Sequence, residues 1–360
     1  MTATLFTPLS VRGTMFRNRV WVAPMCQYSC EDRDGVATDW HLVHLGSLAR
    51  GGAGLVIAEA SAVVPEGRIT SWDLGLWNDA QRDALAPIVD FIHAMGAKAG
   101  IQIAHAGRKA STYRDWSGRG TEPIADGGWQ SVAPSAIAFE GYDAPRALTT
   151  GEIDDVVAAF GAAARRAVEA GLDVVEIHAA HGYLIHQFLS PLSNLRDDEY
   201  GGSLEGRARL LLRVVREVRA AVGEAVPVFV RLSATDWVEP EGWTLEQTVK
   251  VAGWARDAGA DLFDVSSGGL IAGVRAPAAP GYQVRFASAV RATTGTPVAT
   301  VGLITESEQA EDIVASGSAD AVLIGREFLR DPHFALRAAH ELGVPLDYWP
   351  PQYARGVWPS

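Results

Sequence analysis

Cysteine is scarce in this 360-residue chain, which holds two, Cys26 and Cys30. Two thiols cannot make a four-thiolate zinc or iron–sulfur site, and they cannot supply the disulfide framework of a small secreted fold. Their C-x3-C spacing is also not the C-x-x-C redox pattern. Lysine is almost as rare, with Lys98, Lys109 and Lys250 the only three. Lys+Arg total 31 against 43 for Asp+Glu, a formal net charge of -12, and no block of basic residues offsets it. A general phosphate-backbone binder is therefore not expected, and nucleic acid is excluded as a partner. A secretory leader is not expected either: Met1 to Thr14 has no long apolar core, and Pro8 and Gly13 interrupt it. A cytoplasmic protein is the expectation. No G-x-G-x-x-G follows an apolar run, so a dedicated Rossmann domain is not expected.

Long apolar runs are missing as well. Ile177 to Leu195 lacks Asp, Glu, Lys and Arg over 19 positions, but it holds His178, His181, His186, Gln187, Pro191 and Asn194. Such groups are costly in hydrocarbon, so the segment is no membrane span, and its density of His and Tyr asks for a chemical explanation.

What is abundant is alternation. Short β-branched runs recur between Ala/Leu/Arg-rich segments of helical period, the pattern of repeated βα units and a parallel sheet. Eight runs qualify: Val20 to Met25, Gly54 to Glu59, Ala99 to Ile103, Asp173 to Ile177, Val228 to Arg231, Asp261 to Val265, Pro297 to Ala299 and Ala321 to Ile324. Several are entered through a glycine that reads as a left-handed helix cap, as in Glu169-Ala-Gly-Leu-Asp-Val and Asp257-Ala-Gly-Ala-Asp-Leu. Most repeats suit one strand plus one helix. The longer third and fourth imply insertions, Ser111 to Arg146 and Leu189 to Glu205. With no strong linker composition, the expectation is an α/β chain forming a single (β/α)8 TIM barrel over 1–360.

In such barrels chemistry sits on the loops after the strand C-termini. Those loops begin Ala23-Pro-Met-Cys-Gln-Tyr28, Glu59-Ala60-Ser61, Gln102-Ile-Ala-His-Ala-Gly-Arg-Lys109, His178-Ala-Ala-His181-Gly-Tyr183, Arg231, Ser266-Ser-Gly-Gly269, Gly302 and Gly325-Arg326. Gly302, Gly325 and Arg326 fit a phosphate held between the last two loops on backbone N–H groups and a guanidinium, against the plainer reading of glycines that turn the chain. His178 and His181, spaced i, i+3, converge if their loop turns helically. They then suit an oxyanion pair with Tyr183 as proton donor. Buried histidines satisfied by backbone, or zinc ligation, are the competing uses. Cys26, at a strand end beside Tyr28, is placed to touch a cofactor, whereas Cys30 reads as structural. Lys109 reads as a surface residue.

Taken in order, these segments resemble the old yellow enzyme family of flavin-dependent ene-reductases, specifically its thermophilic-like branch with the bacterial xenobiotic reductases. The resemblance runs from Leu5-Phe-Thr-Pro-Leu and Arg17-Asn-Arg-Val through the segments above to Asn194-Leu-Arg-Asp-Asp-Glu-Tyr-Gly-Gly-Ser. It implies FMN, tightly but not covalently bound, across the barrel mouth, with NAD(P)H, NADPH above NADH, as transient reductant. By matching positions, Ala23, Pro24, Met25 and Cys26 line the isoalloxazine, Ala60 and Gln102 meet its pyrimidine side, and Arg231 faces the N1/O2 edge. Ser267 and Gly268 join the cofactor set, and Gly302, Gly325 and Arg326 hold the phosphate. His178 and His181 bind the carbonyl oxygen of an activated alkene, Tyr28 contacts the substrate, Tyr183 protonates, and Cys26 tunes the flavin. The resemblance further implies an N-terminal hairpin cap and a homodimer or homotetramer. In it the tail, about 345–360, brings Arg355 or Trp358 to a neighbouring active site. No metal is implied. A flavin-free lyase or isomerase acting on a phosphorylated metabolite, and a mononuclear zinc hydrolase, are the rival readings of the same loops.

Overall fold

The computed structural model describes residues 3–358; Met1, Thr2, Pro359 and Ser360 lie outside the described residues. A β-hairpin comes first, β1 (Leu9–Val11) pairing antiparallel with β2 (Thr14–Phe16). Eight parallel strands follow and close into a barrel: β3 (Val20–Val22), β4 (Leu55–Ala62), β5 (Lys98–Ala104), β8 (Val174–Ala179), β9 (Val228–Ser233), β10 (Leu262–Ser266), β11 (Val298–Thr300) and β12 (Ala321–Ile324). The short pair β6 (Val132–Ala133) and β7 (Arg146–Ala147) lies within the insertion after β5. The protein is thus a (β/α)8 TIM barrel.

Alternation along each strand builds two cores. In β8, Val175 and Ile177 face the surrounding helices, while Val174 joins a second cluster inside the barrel. The helices answer with periodic apolar faces. In α5 (Leu204–Val222), Ala208, Leu211, Val215, Val218 and Val222 are buried, and the helix is capped by Ser203 Oγ accepting from Gly206 N–H. The helix α3 (Thr150–Glu169) starts in a capping box between Thr149 and Glu152. The glycine entries behave as expected, Gly171 and Gly259 both taking positive φ.

The interior is layered. At the floor the hairpin inserts Phe16, whose ring lies 4.7 Å from Trp21 and 6.3 Å from Phe229. Above it comes a polar layer of Gln102, Glu176, Arg231 and Asp264, all buried. Gln102 Nε2 donates to Glu176 Oε1 (2.7 Å), and Arg231 Nε stands 2.8 Å from Asp264 Oδ2. Burial pushes Glu176 up to about 8 and Asp264 up to about 6, and Arg231 opposes both shifts. His178, Ser233 and Ser266 form the next layer, at the mouth.

Every strand end but the last differs from the sequence reading, the fourth by running on through His178 to Ala179, and three further differences bear on the site. The first barrel strand stops at Val22, so Ala23 to Met25 belong to the loop. The second runs on to Ala62 because a β-bulge, where pairing to β5 shifts between Ala58 and Ala60, absorbs Glu59. The fifth continues to Ser233, which places Arg231 inside the barrel and not at its end. No helix among the described residues is long and apolar enough to cross a membrane.

Candidate active site

The mouth begins where β3 ends. Ala23 N–H donates to Ile324 O (3.0 Å), and the chain then leaves the sheet through Pro24, Met25 and Cys26. Tyr28 sits in the left-handed region at φ 52, an uncommon state for a large side chain. Cys26 is held well above the usual thiol range by burial, then by the Glu59 and Asp73 carboxyls, so it is a neutral thiol. Cys30 is fully buried. On the next two strands Ala60 and Gln102 are register partners.

His178 and His181 do not lie on a helical turn. His178 is a strand residue of β8, and His181 follows in a left-handed turn at φ 58. Convergence survives because that turn folds the chain back. The two rings lie 5.2 Å apart edge-on, and the Tyr183 ring is 4.9 Å from His178. His178 Nδ1 accepts the Ala180 N–H (3.2 Å), so the proton of the neutral ring is on Nε2. His181 Nε2 meets Ser266 Oγ at 2.7 Å, and its backbone N–H donates to Ser233 Oγ. Burial, then the Arg231 charge, holds both imidazoles well below the ordinary range. Each ring is neutral, and the proton of His178 is on Nε2. Burial raises Tyr183 well above the usual phenol range, so it keeps its proton.

Neighbouring residues fix this geometry. Gly182 packs so tightly against the β10 loop that a Cβ on it would lie 2.3 Å from Gly269 O. The third histidine of the uncharged run, His186, is structural: its Nδ1 accepts from Gly182 N–H, and its Nε2 stands 3.1 Å from Asp236 Oδ1 with both side chains fully buried. Lys109 is not a surface residue. Its Nζ donates to His181 O (2.9 Å) and Gly269 O (2.6 Å) and lies 5.3 Å from the centre of the Tyr183 ring. Burial pushes it down to about 8.

At the far end of the mouth a cavity of about 110 Å³ is lined by Gly302, Leu303, Gly325, Arg326 and Arg330, among others. Gly302 has φ 123, and a Cβ there would meet Gln283 Nε2 at 2.8 Å and Tyr282 Cε1 at 2.9 Å. Arg326 makes no ion pair among the described residues. Ser267 Oγ donates to Gln283 Oε1 (2.6 Å), and Ser233 Oγ donates to Gly268 O (2.9 Å). Sequence reasoning missed Gln283, which bridges the β10 and β11 loops by also donating to Val301 O. It also missed Trp237, at φ 61 with a buried, unpartnered indole N–H beside Gly268. Both sit in loops with no readable code.

Arg355 and Trp358 are not in this mouth. Arg355 is exposed in the last 3-10 turn, Pro351–Gly356, and the Trp358 ring stacks on His340 of the same chain at 4.8 Å and 8°. Among the described residues no three His, Cys, Asp or Glu side chains gather as a metal would require.

A planar anionic cofactor fits these residues: a buried guanidinium and amide under the mouth, a glycine-lined cavity with an uncommitted arginine at one end, and two neutral imidazoles above. The class so defined is a flavin-dependent oxidoreductase barrel. Comparison with known proteins agrees. Residues 4–344 match the NADH:flavin oxidoreductase / NADH oxidase family. An NADPH dehydrogenase of Listeria monocytogenes is 48% identical over 352 residues, 98% of each chain. Morphinone reductase superposes with a TM-score of 0.79 at 30% identity, covering 98% of this chain and 93% of that one. A 2-naphthoyl-CoA reductase superposes at 0.86 with 28% identity, but this chain spans only 53% of its length. The chain belongs to the NADH:flavin oxidoreductase / NADH oxidase family, the old yellow enzyme family, and is an FMN-dependent ene-reductase using NAD(P)H.

Proposed function

We propose that the whole chain is one catalytic unit, and that the cluster of His178, His181 and Tyr183 at the barrel mouth is its substrate site. When bound, FMN would supply hydride transfer between NAD(P)H and the β-carbon of an activated alkene. The protein does the rest. Arg231 and Gln102 hold the pyrimidine edge, with Ala23, Pro24, Met25, Cys26 and Ala60 shaping the ring slot. Ser267, Gly268, Gly302, Gly325 and Arg326 hold the chain and phosphate. His178 and His181 donate to the substrate carbonyl oxygen, where negative charge develops as the alkene is reduced. The oxygen takes the place of Ser266 Oγ as the acceptor at His181. Neutral rings suit this role, because they stabilise the charge by hydrogen bonding without transferring a proton to the oxygen. Tyr183 protonates the α-carbon, and Tyr28 contacts the substrate from the other rim.

The edge-on packing of the two imidazoles and the phenol carries this reading. It is tested by anaerobic single-turnover kinetics of the purified, yellow protein, with flavin absorbance at about 450 nm. Tyr183→Phe is expected to leave reduction by NADPH intact and to slow enone reduction about 100-fold or more. An unchanged enone step with FMN still bound would overturn the assignment.

We also infer self-association in the cytoplasm as a homodimer or homotetramer. Trp40 and Val43 on helix α1 (Asp39–Arg50) and Phe91 on α2 (Asp79–Ala94) are exposed apolar side chains. Trp40 Nε1 donates to Gln27 Oε1 (3.1 Å), so this face borders the mouth. A second copy packed there would bring its tail, with Arg355 and Trp358, toward the site.

A further inference from the structure

One buried carboxyl at the mouth has no part in the chemistry above. Glu59 is the bulge residue of β4, the one position where pairing to β5 slips. Bulges re-aim a side chain out of the strand's alternation, and here the slip sends consecutive residues to different duties. Ala60 becomes the register partner of Gln102. Glu59, 3% exposed, turns to the loop after β3.

There it meets a backbone N–H and a buried imidazole. Glu59 Oε2 accepts the Gln27 backbone N–H at 2.7 Å. Glu59 Oε1 stands 3.4 Å from His41 Nε2, in a ring that is 1% exposed. His41 Nδ1 accepts the Thr38 N–H (2.9 Å) as the N-terminal cap of α1, which puts the proton of the neutral ring on Nε2. That nitrogen has no hydrogen-bond partner in this geometry, and Glu59 Oε1 is the carboxylate oxygen that stands beside it. Thr38 Oγ1 completes the clamp by donating to Ser29 O (3.3 Å). The loop gripped at Gln27 and Ser29 carries the strained Tyr28 between them and Cys26 immediately before them. A backbone N–H and a buried imidazole nitrogen face one side chain, which offers each its own acceptor oxygen. A glutamine has one, and its amide N–H would face the other nitrogen.

We propose that Glu59 is a positioning residue: with His41 it locks the Cys26–Tyr28 segment onto the N-terminus of helix α1, and so fixes the thiol and phenol against the flavin edge. This rests on the reading of the mouth as an FMN site. The same helix carries the exposed Trp40, so the lock ties the flavin edge to the face inferred to meet a second copy.

The test uses the flavin-loaded enzyme with Glu59→Gln and Glu59→Ala. FMN content and the melting transition are measured first. Cys26 is then labelled with iodoacetamide and read by peptide mass spectrometry, with Cys30 as internal control, and the two half-reactions are timed separately. Both variants are expected to keep FMN, to alkylate Cys26 at least ten-fold faster, and to lose at least ten-fold in hydride transfer. Glu59→Gln is expected to fail nearly as badly as Glu59→Ala. Flavin-loaded variants with labelling and rates within two-fold of wild type would overturn the proposal. So would full function in Glu59→Gln, since one acceptor would then suffice. If a variant does not fold, hydrogen exchange of wild-type Gln27 decides. Its amide is expected among the slowly exchanging ones, and fast exchange would overturn the lock. A wild-type protein that binds no FMN would instead sink the reading of the mouth and leave the Gln27 exchange result standing.

Discussion

A neutral imidazole donates one hydrogen bond without acting as an acid, and that distinction orders the chemistry of the mouth. Burial, then Arg231, keeps His178 and His181 neutral, so in the proposed mechanism the last proton comes from Tyr183, the buried phenol beside them. His178→Ala is expected to slow enone reduction about 100- to 1,000-fold, the usual loss for one donor to a developing oxyanion, with flavin reduction followed in the same stopped-flow experiment. Lys109 offers a separate handle. Its pKa is pushed down to about 8 from 10.5, first by burial. Between those values the unfolded chain holds more protons than the folded one, so this group makes stability rise with pH through that window. Lys109→Met removes the dependence, and the difference in unfolding free energy between wild type and variant, from urea titrations, is expected to move in favour of wild type as pH rises from about 8 to 10.5. A flat difference would mean the amine is not buried as a strained cation. Lys109 was misread from sequence for a plain reason. Its neighbours Phe139, His181 and Gly269 come from three other loops, and no local pattern announces that they close over it.

Strand alternation explains what was legible one level up. Because successive residues point to opposite faces, the runs around Val174 and Leu262 read as doubly buried strands, and all eight barrel strands were found. Their ends were not. The bulge at Glu59 and the extension of β9 to Ser233 depend on pairing with β5 and β10, which are distant in sequence. The same holds for Arg231. Its guanidinium could be assigned to an anion from the sequence, but its ion partner Asp264 lies across a strand pair and carries no motif. The floor shows a further consequence of alternation. Trp21, Phe229 and the hairpin residue Phe16 close the barrel from below, far from the mouth. Phe16→Ala is expected to cost about 3 to 5 kcal/mol in chemical denaturation, while half-reaction rates of the folded fraction stay unchanged. A change in the flavin steps would show that the floor and the mouth are mechanically joined through the polar layer.

Charge and reach decide how complete one chain is. Against the net charge of -12, Arg231 is paired with Asp264 and Arg114 with Glu31 (2.9 Å) at the rim, while Arg326, proposed to hold the phosphate, makes no ion pair among the described residues. The tail contributes nothing to its own mouth: Trp358 stacks on His340, and the Tyr353 ring lies 5.7 Å from His333, on the outer side of the barrel. If Arg355 and Trp358 serve the reaction, they serve it in a second copy, and a C2 pair exchanges such arms reciprocally. Mixing separates the two cases. A chain ending at Pro350 is expected to bind FMN and to be reduced normally, but to show a KM for bulky enones raised about ten-fold, roughly the loss of one modest contact. A full-length Tyr183→Phe chain has an intact tail and a disabled site. When the two are mixed and allowed to exchange subunits, the truncated chain's site receives a tail from its partner. Mixed pairs are then expected to regain the low KM at the truncated chain's site, whereas a tail that acts only within its own chain predicts no recovery at any mixing ratio.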